Sequence, residues 1–321
     1  MLTSKKWPKS IVFSTRFGPN FLWHILATAR IGYDSEYADQ YRDTIQEDDL
    51  EYLKSVRSWL AFAEGESGEL VVFFNIIPSF LRIDEEIQFR KYFDSLKIAF
   101  DKKSLKPIVD AFPSANWDDK FFREFLQRAK IPERSNSLMD ILGRFTDIYL
   151  RSLRPYRDIV WDGAQANMKK RRDELDDFFS REDYIAKWER FLKIPFVSNE
   201  YEFILCYSNK NGPDFNSIGY CGNLFYYDKP FSRTCQFLSH EIGTHLLIDV
   251  YLSLAQTNKY NHRQLYSAYE TLAMFYNKLI LGVEKLDYSL SNMEDIRHLE
   301  IYKSHYNKST PPVELLLKGL D

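Results

Sequence analysis

The run Ser239-His240-Glu241-Ile242-Gly243-Thr244-His245 sets two imidazoles on either side of a carboxylate, in a chain that has six histidines in all. Two imidazole nitrogens are donors that suit zinc, and a carboxylate beside them can act as base toward a metal-bound water. The pattern is close to the signature H-E-x-x-H, in which histidines four apart share one helix face. Here three residues separate Glu241 from the second histidine. At about 100° per residue, five steps carry the second ring about 140° round from the first, against about 40° for four. A regular α-helix would therefore hold the rings apart. One extra residue absorbed as a π-bulge restores the shared face, and Gly243 suits such a distortion. An irregular helix between His240 and His245 is predicted.

A catalytic zinc site needs a third protein ligand and an open position for water or substrate. Glu270 is the candidate, in Tyr269-Glu270-Thr271-Leu272-Ala273, a strongly helical segment 25 residues beyond His245. That distance leaves room for a loop and a returning helix. Asp249, one turn after His245, is a candidate hydrogen-bond acceptor behind a ligand histidine. Donors for a developing oxyanion are sought among Tyr266, Tyr269, Tyr276, His262 and His298. Asn223 is a candidate to hold an extended peptide by strand addition. Arg263 and Arg297 are candidates to clamp a terminal carboxylate.

These residues must be positioned by regular elements. Tyr201 to Tyr207 and Ile218 to Tyr227 read as strands separated by the turn-rich Asn209-Lys210-Asn211-Gly212-Pro213-Asp214. From Ser232 a helix carries Phe237, Leu238, Ile242, Leu246 and Val250, and further helices are expected at Arg263–Leu281 and Met293–Tyr306. Upstream, helical periodicity marks Phe21–Ile31, Asp48–Phe62, Glu85–Phe100, Asp118–Ala129, Ser137–Leu153 and residues 157–191, with Pro155 expected to end or kink its helix. Val71–Ile77, apolar but for Asn75, fits either state. The fold class is thus α+β and mostly helical. A helical N-terminal region, 1–135, precedes a domain over 136–321 whose small sheet comes just before the histidine helix; the boundary falls between Ile131 and Ser198.

The order strand, strand, histidine helix, glutamate helix resembles that of zinc peptidases of the gluzincin type. HEIGTH followed by an E-x-L-A helix resembles the family whose bacterial members are flavohaemoglobin expression-modulating QEGLA-motif proteins and whose animal relatives include tubulin tyrosine carboxypeptidases. The H-E-x-x-x-H spacing is also similar to that of dipeptidyl peptidase III. The resemblance implies a zincin-like fold and one zinc ion held by His240, His245 and Glu270, with Glu241 as base. It further implies a peptide or protein substrate cut at a terminus, as by a carboxypeptidase. The match covers two short segments, and Tyr269 and Thr271 stand where the motif has Gln and Gly.

Composition narrows the alternatives. Net charge is −3, and the one dense basic run, Lys169 to Arg172, is followed by Asp173, Glu174, Asp176 and Asp177, which would pair with it on a helix. No nucleic-acid surface is expected. Cys206, Cys221 and Cys235 form no CxxC pair, the N-terminus lacks a signal peptide's apolar stretch, and no apolar run spans a bilayer. A cytoplasmic protein without a membrane partner is expected. Two other classes compete with a peptidase: a zinc-bound regulatory or binding protein, and a metal-free scaffold. Glu241 speaks against the first, because a structural zinc is closed by four protein ligands and needs no base.

Overall fold

A computed structural model describes residues 8–32, 36–63, 66–68, 70–114, 135–210, 212, 214–216, 222–257, 259–288 and 293–320. The helix expected at Asp118–Ala129, the start of the second expected strand and Cys221 lie outside these residues. The chain forms two compact units: Met1–Val12 with Glu174–Phe203 and Lys229–Asp321, and Phe13–Asp173 with Ile204–Asp228. Neither is one continuous stretch of sequence.

In chain order the elements begin with β1 (Ser10–Ser14), α1 (Phe17–Thr28), α2 (Glu36–Tyr41) and α3 (Glu47–Ser55). An antiparallel pair, β2 (Phe62–Ala63) and β3 (Glu66–Ser67), precedes α4 (Ile77–Phe80), α5 (Glu86–Lys102) and α6 (Lys106–Ala111). Then come α7 (Ser135–Tyr156), α8 (Asp162–Ser180), α9 (Tyr184–Leu192) and β4 (Glu200–Cys206). The chain closes with β5 (Phe215–Asn216), β6 (Gly222–Tyr226), α10 (Phe231–Ala255), α11 (His262–Leu281), α12 (Met293–His305) and α13 (Pro312–Leu320). The protein is α+β and mostly helical, as expected.

The four-stranded sheet has the order β1-β4-β6-β5, with β5 antiparallel to β6 and Phe215 opposite Leu224. The N-terminal region is therefore not wholly helical, since β1 joins the sheet whose other strands lie some two hundred residues on. A five-residue strand, Ser-Ile-Val-Phe-Ser, is too short for its alternation to stand out.

Every residue of α1 is buried, so this helix has no solvent-facing side, and its polar Asn20, His24 and Thr28, spaced four apart, face protein partners. Phe21 meets Phe89, Tyr149 and Tyr156 at centroid distances of 5.3, 6.2 and 5.5 Å. The ambiguous segment around Asn75 is a π-helical turn, Val72–Ile76. A π bond to the Phe73 carbonyl would have to come from residue 78, which is proline and has no N–H; the Tyr92 hydroxyl donates to it instead, at 2.6 Å. Asn75 is buried with both ends engaged, donating to the Leu22 carbonyl at 2.7 Å and accepting from the Tyr149 hydroxyl at 2.9 Å. Asp49, also buried, takes Arg144 and Arg151 of α7 on one oxygen, each at 2.9 Å. Pro155 does not end its helix. It lies inside α7, and a second π turn, Arg157–Trp161, carries the chain into α8. Among the described residues no helix is long and apolar enough to cross a membrane.

His24 sits fully inside this unit. Its Nε2 lies 2.9 Å from Thr44 Oγ1 and its Nδ1 2.7 Å from the Tyr37 hydroxyl. Thr44 spends its own proton on the Tyr41 carbonyl, at 2.6 Å. The proton therefore resides on Nε2, and Nδ1 accepts from Tyr37. Burial pushes the His24 pKa down from 6.5 to about 3. Below the unfolded value the unfolded chain takes up a proton that the folded chain refuses, so stability falls as pH drops from 6.5 toward 3. The slope from this group is up to about 1.4 kcal/mol per pH unit. Urea unfolding of wild type and His24→Gln between pH 7 and 4.5 checks this: the variant should show a shallower acid loss, and equal slopes would clear His24 of the effect.

Candidate metal centre

Both helices of the candidate site belong to one unit. α10 starts directly after Pro230, and α11 is capped by Asn261, whose Oδ1 accepts from the backbone N–H groups of Arg263 and Gln264 at 2.9 and 3.3 Å. Gly282, at φ +66°, ends α11 in the left-handed region that favours glycine. The two helices pack along their length, and the contact brings His240 to Glu270.

His240 is 1% exposed, and its Nε2 lies 3.0 Å from Glu270 Oε2. Its ring stacks on Phe237 at 6.1 Å and meets the edge of Tyr288 at 5.6 Å. His240 Nδ1 is buried without a hydrogen-bond partner among the described residues. Glu241, next along α10, is also buried. Four tyrosines report where the two carboxylates lie. Tyr266 is held above its ordinary pKa first by the charge of Glu270, then by burial, by its hydrogen bond to Glu270 and by the charge of Glu241. Tyr269 and Tyr288 are raised mainly by burial, with Glu270 and Glu241 adding to both, and Tyr251 by burial and then Glu270. Glu241 and Glu270 thus share a set of neighbours.

The helix between the histidines is regular, contrary to the expected π-bulge: α10 is α-helical throughout. Gly243 has another task. A Cβ there would stand 2.2 Å from Trp188 Cη2, and the Trp188 indole N–H donates to Ser239 Oγ at 3.1 Å. The glycine admits a buried indole against the helix rather than loosening it. With the helix regular, His245 turns elsewhere and packs edge-on against Tyr201, with centroids 4.9 Å apart. Among the described residues no group of three His, Cys, Asp or Glu side chains is arranged to hold a metal ion. The His240–Glu270 pair has donor chemistry that suits zinc, one imidazole nitrogen against one carboxylate oxygen with the second imidazole nitrogen orphaned.

Two carbonyls in this stretch carry extra donors. Glu241 O accepts from Thr244 Oγ1 at 2.9 Å and from the Tyr201 hydroxyl at 3.4 Å, and Thr244 O accepts from the Tyr269 hydroxyl at 2.5 Å. Tyr269 is thereby engaged with the backbone of α10. Tyr276 is fully buried in an aromatic cluster with Phe191 and Tyr306. His298 is buried and stacks on Tyr302, whose hydroxyl donates to the Ala268 carbonyl. Asp249, Arg263 and Arg297 are exposed. Asn223 is buried on β6, in the other unit.

Tyr288, Asn277, Trp188 and Tyr201 escaped the sequence reading. Asn277 joins elements by donating to the Gln236 carbonyl at 2.8 Å and to the Tyr288 hydroxyl at 3.0 Å. Tyr288 follows the α11 cap in irregular chain, where no periodicity exists to betray a buried side. No family model, curated protein or solved structure matches this chain.

Proposed function

We propose that the protein is a zinc-dependent peptidase of zincin-like fold, with Glu241 as its base and a peptide or protein terminus as its substrate. The observation that carries this reading is the approach of His240 Nε2 to Glu270 Oε2 across two helices, with Glu241 buried beside it. In this reading His240 and Glu270 are two ligands and His245 the third, which requires the turn between the histidines to widen by one residue. The hydroxyls of Thr244, Tyr201 and Tyr269, already on the carbonyls of Glu241 and Thr244, support that step: they would keep these carbonyls satisfied while ladder bonds shift.

Zinc would supply Lewis-acid polarisation and lower the pKa of a bound water from about 16 to about 7. Glu241 takes a proton from the attacking water and returns one to the leaving amine nitrogen as the C–N bond breaks. Burial keeps bulk water from competing for that proton. Arg263 and Arg297, both exposed on the helices of the same unit, are the cations proposed to meet a terminal carboxylate.

Zinc stoichiometry of the purified protein tests the reading. About one zinc per chain is expected in wild type, and its loss in His240→Ala, His245→Ala and Glu270→Ala. A second reading draws on the regular helix and on His245 packed against Tyr201: a metal-free scaffold in which the His240–Glu270 hydrogen bond ties α10 to α11. A wild-type protein that neither carries nor takes up zinc would decide for it.

A further inference from the structure

The chain that follows α11 turns back at Gly282 and crosses the start of α10. Its Tyr288 ring lies against His240, with centroids 5.6 Å apart, and against Phe237 at 5.9 Å. Phe237 sits on the same helix as His240 and moves with it, whereas Tyr288 belongs to irregular chain. Beneath these rings His240 is 1% exposed. Residues 282–288 have the makings of a strap. Of their side chains, Leu286 and Tyr288 alone are buried. The fastening is polar and lies at the surface: the exposed Asp287 carboxylate accepts from Ser232 Oγ and, at 3.5 Å, from Gln236 Nε2. The Asp287 N–H donates to Gln236 Oε1 at 2.6 Å. At the other end is Gly282, at φ +66°, with no neighbour among the described residues within 4 Å of the place a Cβ would take. Side-chain packing therefore does not hold that turn. Irregular backbone, few buried side chains and surface hydrogen bonds are what locally opening segments have in common.

We propose that residues 282–288 gate His240. Closed, as here, the strap seals the imidazole; lifted about Gly282, it admits whatever His240 takes from solution, whether metal ion or organic molecule. The inference concerns access and stands with or without the peptidase reading. Opening needs release of the Asp287 latch and withdrawal of Leu286 and Tyr288, while α10 and α11 keep their own backbone bonds. Polar atoms under the strap lower the cost of that step. Asn277 Nδ2 donates to the Gln236 carbonyl at 2.8 Å, which fixes the direction of the amide. Its Oδ1 is left buried without a hydrogen-bond partner among the described residues, and His240 Nδ1 is in the same condition. Each unpaired buried group disfavours the closed state, and water that reaches it on opening recovers the loss. A segment that pivots at a few residues of irregular chain commonly sets when a site is reached.

Acylation of imidazoles by diethyl pyrocarbonate, followed residue by residue in the purified full chain, tests this. Exposed His305 gives the unhindered rate, and His298, buried in the same unit, reports any larger unfolding. In wild type His240 should react at least about tenfold more slowly than His305. Asp287→Ala, which removes the latch at an exposed position, should speed His240 by about tenfold and leave His298 and the unfolding midpoint unchanged. Tyr288→Ala should speed it further, and Asp287→Ala carries the test by itself should that variant fail to fold. Urea below the unfolding transition should barely alter the His240 rate, because lifting a short strap exposes little surface. Bound zinc would slow His240 in all three proteins alike, so the ratios keep their meaning. A second readout does not involve the imidazole: backbone hydrogen exchange at 283–288 should outpace α10 and α11 and quicken in Asp287→Ala. Equal His240 rates in wild type and Asp287→Ala would overturn the gate. So would a wild-type His240 as reactive as His305, or a His240 rate that climbs with urea in step with His298.

Discussion

Glu241→Gln is expected to reduce peptide hydrolysis by a factor of about 10² to 10⁴ without loss of zinc or fold. The substitution keeps the side chain's shape and its capacity for hydrogen bonds, and removes only its ability to take and return a proton. Folding should tolerate it. Glu241 is 6% exposed, and an amide spares the protein the desolvation of a buried carboxylate. The neighbouring tyrosines, whose pKa values the Glu241 charge helps to raise, stay neutral in both proteins. Zinc content, far-UV circular dichroism and single-turnover cleavage of a peptide library, measured on both proteins, give the answer. Equal turnover would show that Glu241 is not the base. Equal zinc with no turnover in either protein would favour the zinc-bound binding protein.

Gly243→Ala is expected to destabilise the unit that holds the site by about 2 kcal/mol, although the same change in an ordinary helix interior stabilises by about 0.5–1 kcal/mol. The sign reverses because of one neighbour. The added Cβ would lie 2.2, 2.6 and 2.6 Å from Cη2, Cζ2 and Cζ3 of Trp188, and Trp188 is fully buried and tethered to Ser239. The helix backbone cannot retreat without disturbing His240 and Glu241, so the indole must move, lengthening its hydrogen bond in a packed interior. Zinc affinity should fall as well, since Ser239 and His240 are adjacent. Urea midpoints for Gly243→Ala, Trp188→Leu and the double variant form the test. Strong positive coupling in that cycle is expected, because the smaller leucine side chain leaves room for the methyl group. A Gly243→Ala protein more stable than wild type would show that the indole yields freely.

The helices that carry the candidate site were legible because their apolar spacing is long and regular. The segment predicted from Ser232 is α10, Phe231–Ala255, and that predicted at Arg263–Leu281 is α11, His262–Leu281. Both strands ahead of them were also visible, in β4 and β6. Less legible was anything set by partners remote in sequence. β1 lies beside β4 through backbone pairing that no local pattern announces. The π turns at Val72–Ile76 and Arg157–Trp161 are absorbed within longer helical paths, where hydrophobic periodicity barely changes.

Residue types and spacing alone determined that imidazole and carboxylate donors would be presented from two helices, and that His240 and His245 could not share a face on a regular one. Tertiary structure alone decided which of them meet. Packing of α10 against α11 joined His240 to Glu270 at 3.0 Å, while the regular helix sent His245 to Tyr201. Packing of α9 against α10 gave Gly243 to Trp188, and of three tyrosines on α11 the fold buried Tyr269 and Tyr276 and left Tyr266 half exposed. The physical reason is common to all of these. Helical period fixes the direction in which a side chain leaves its own axis, whereas its burial and its hydrogen-bond partner depend on which surface the rest of the chain brings to that face.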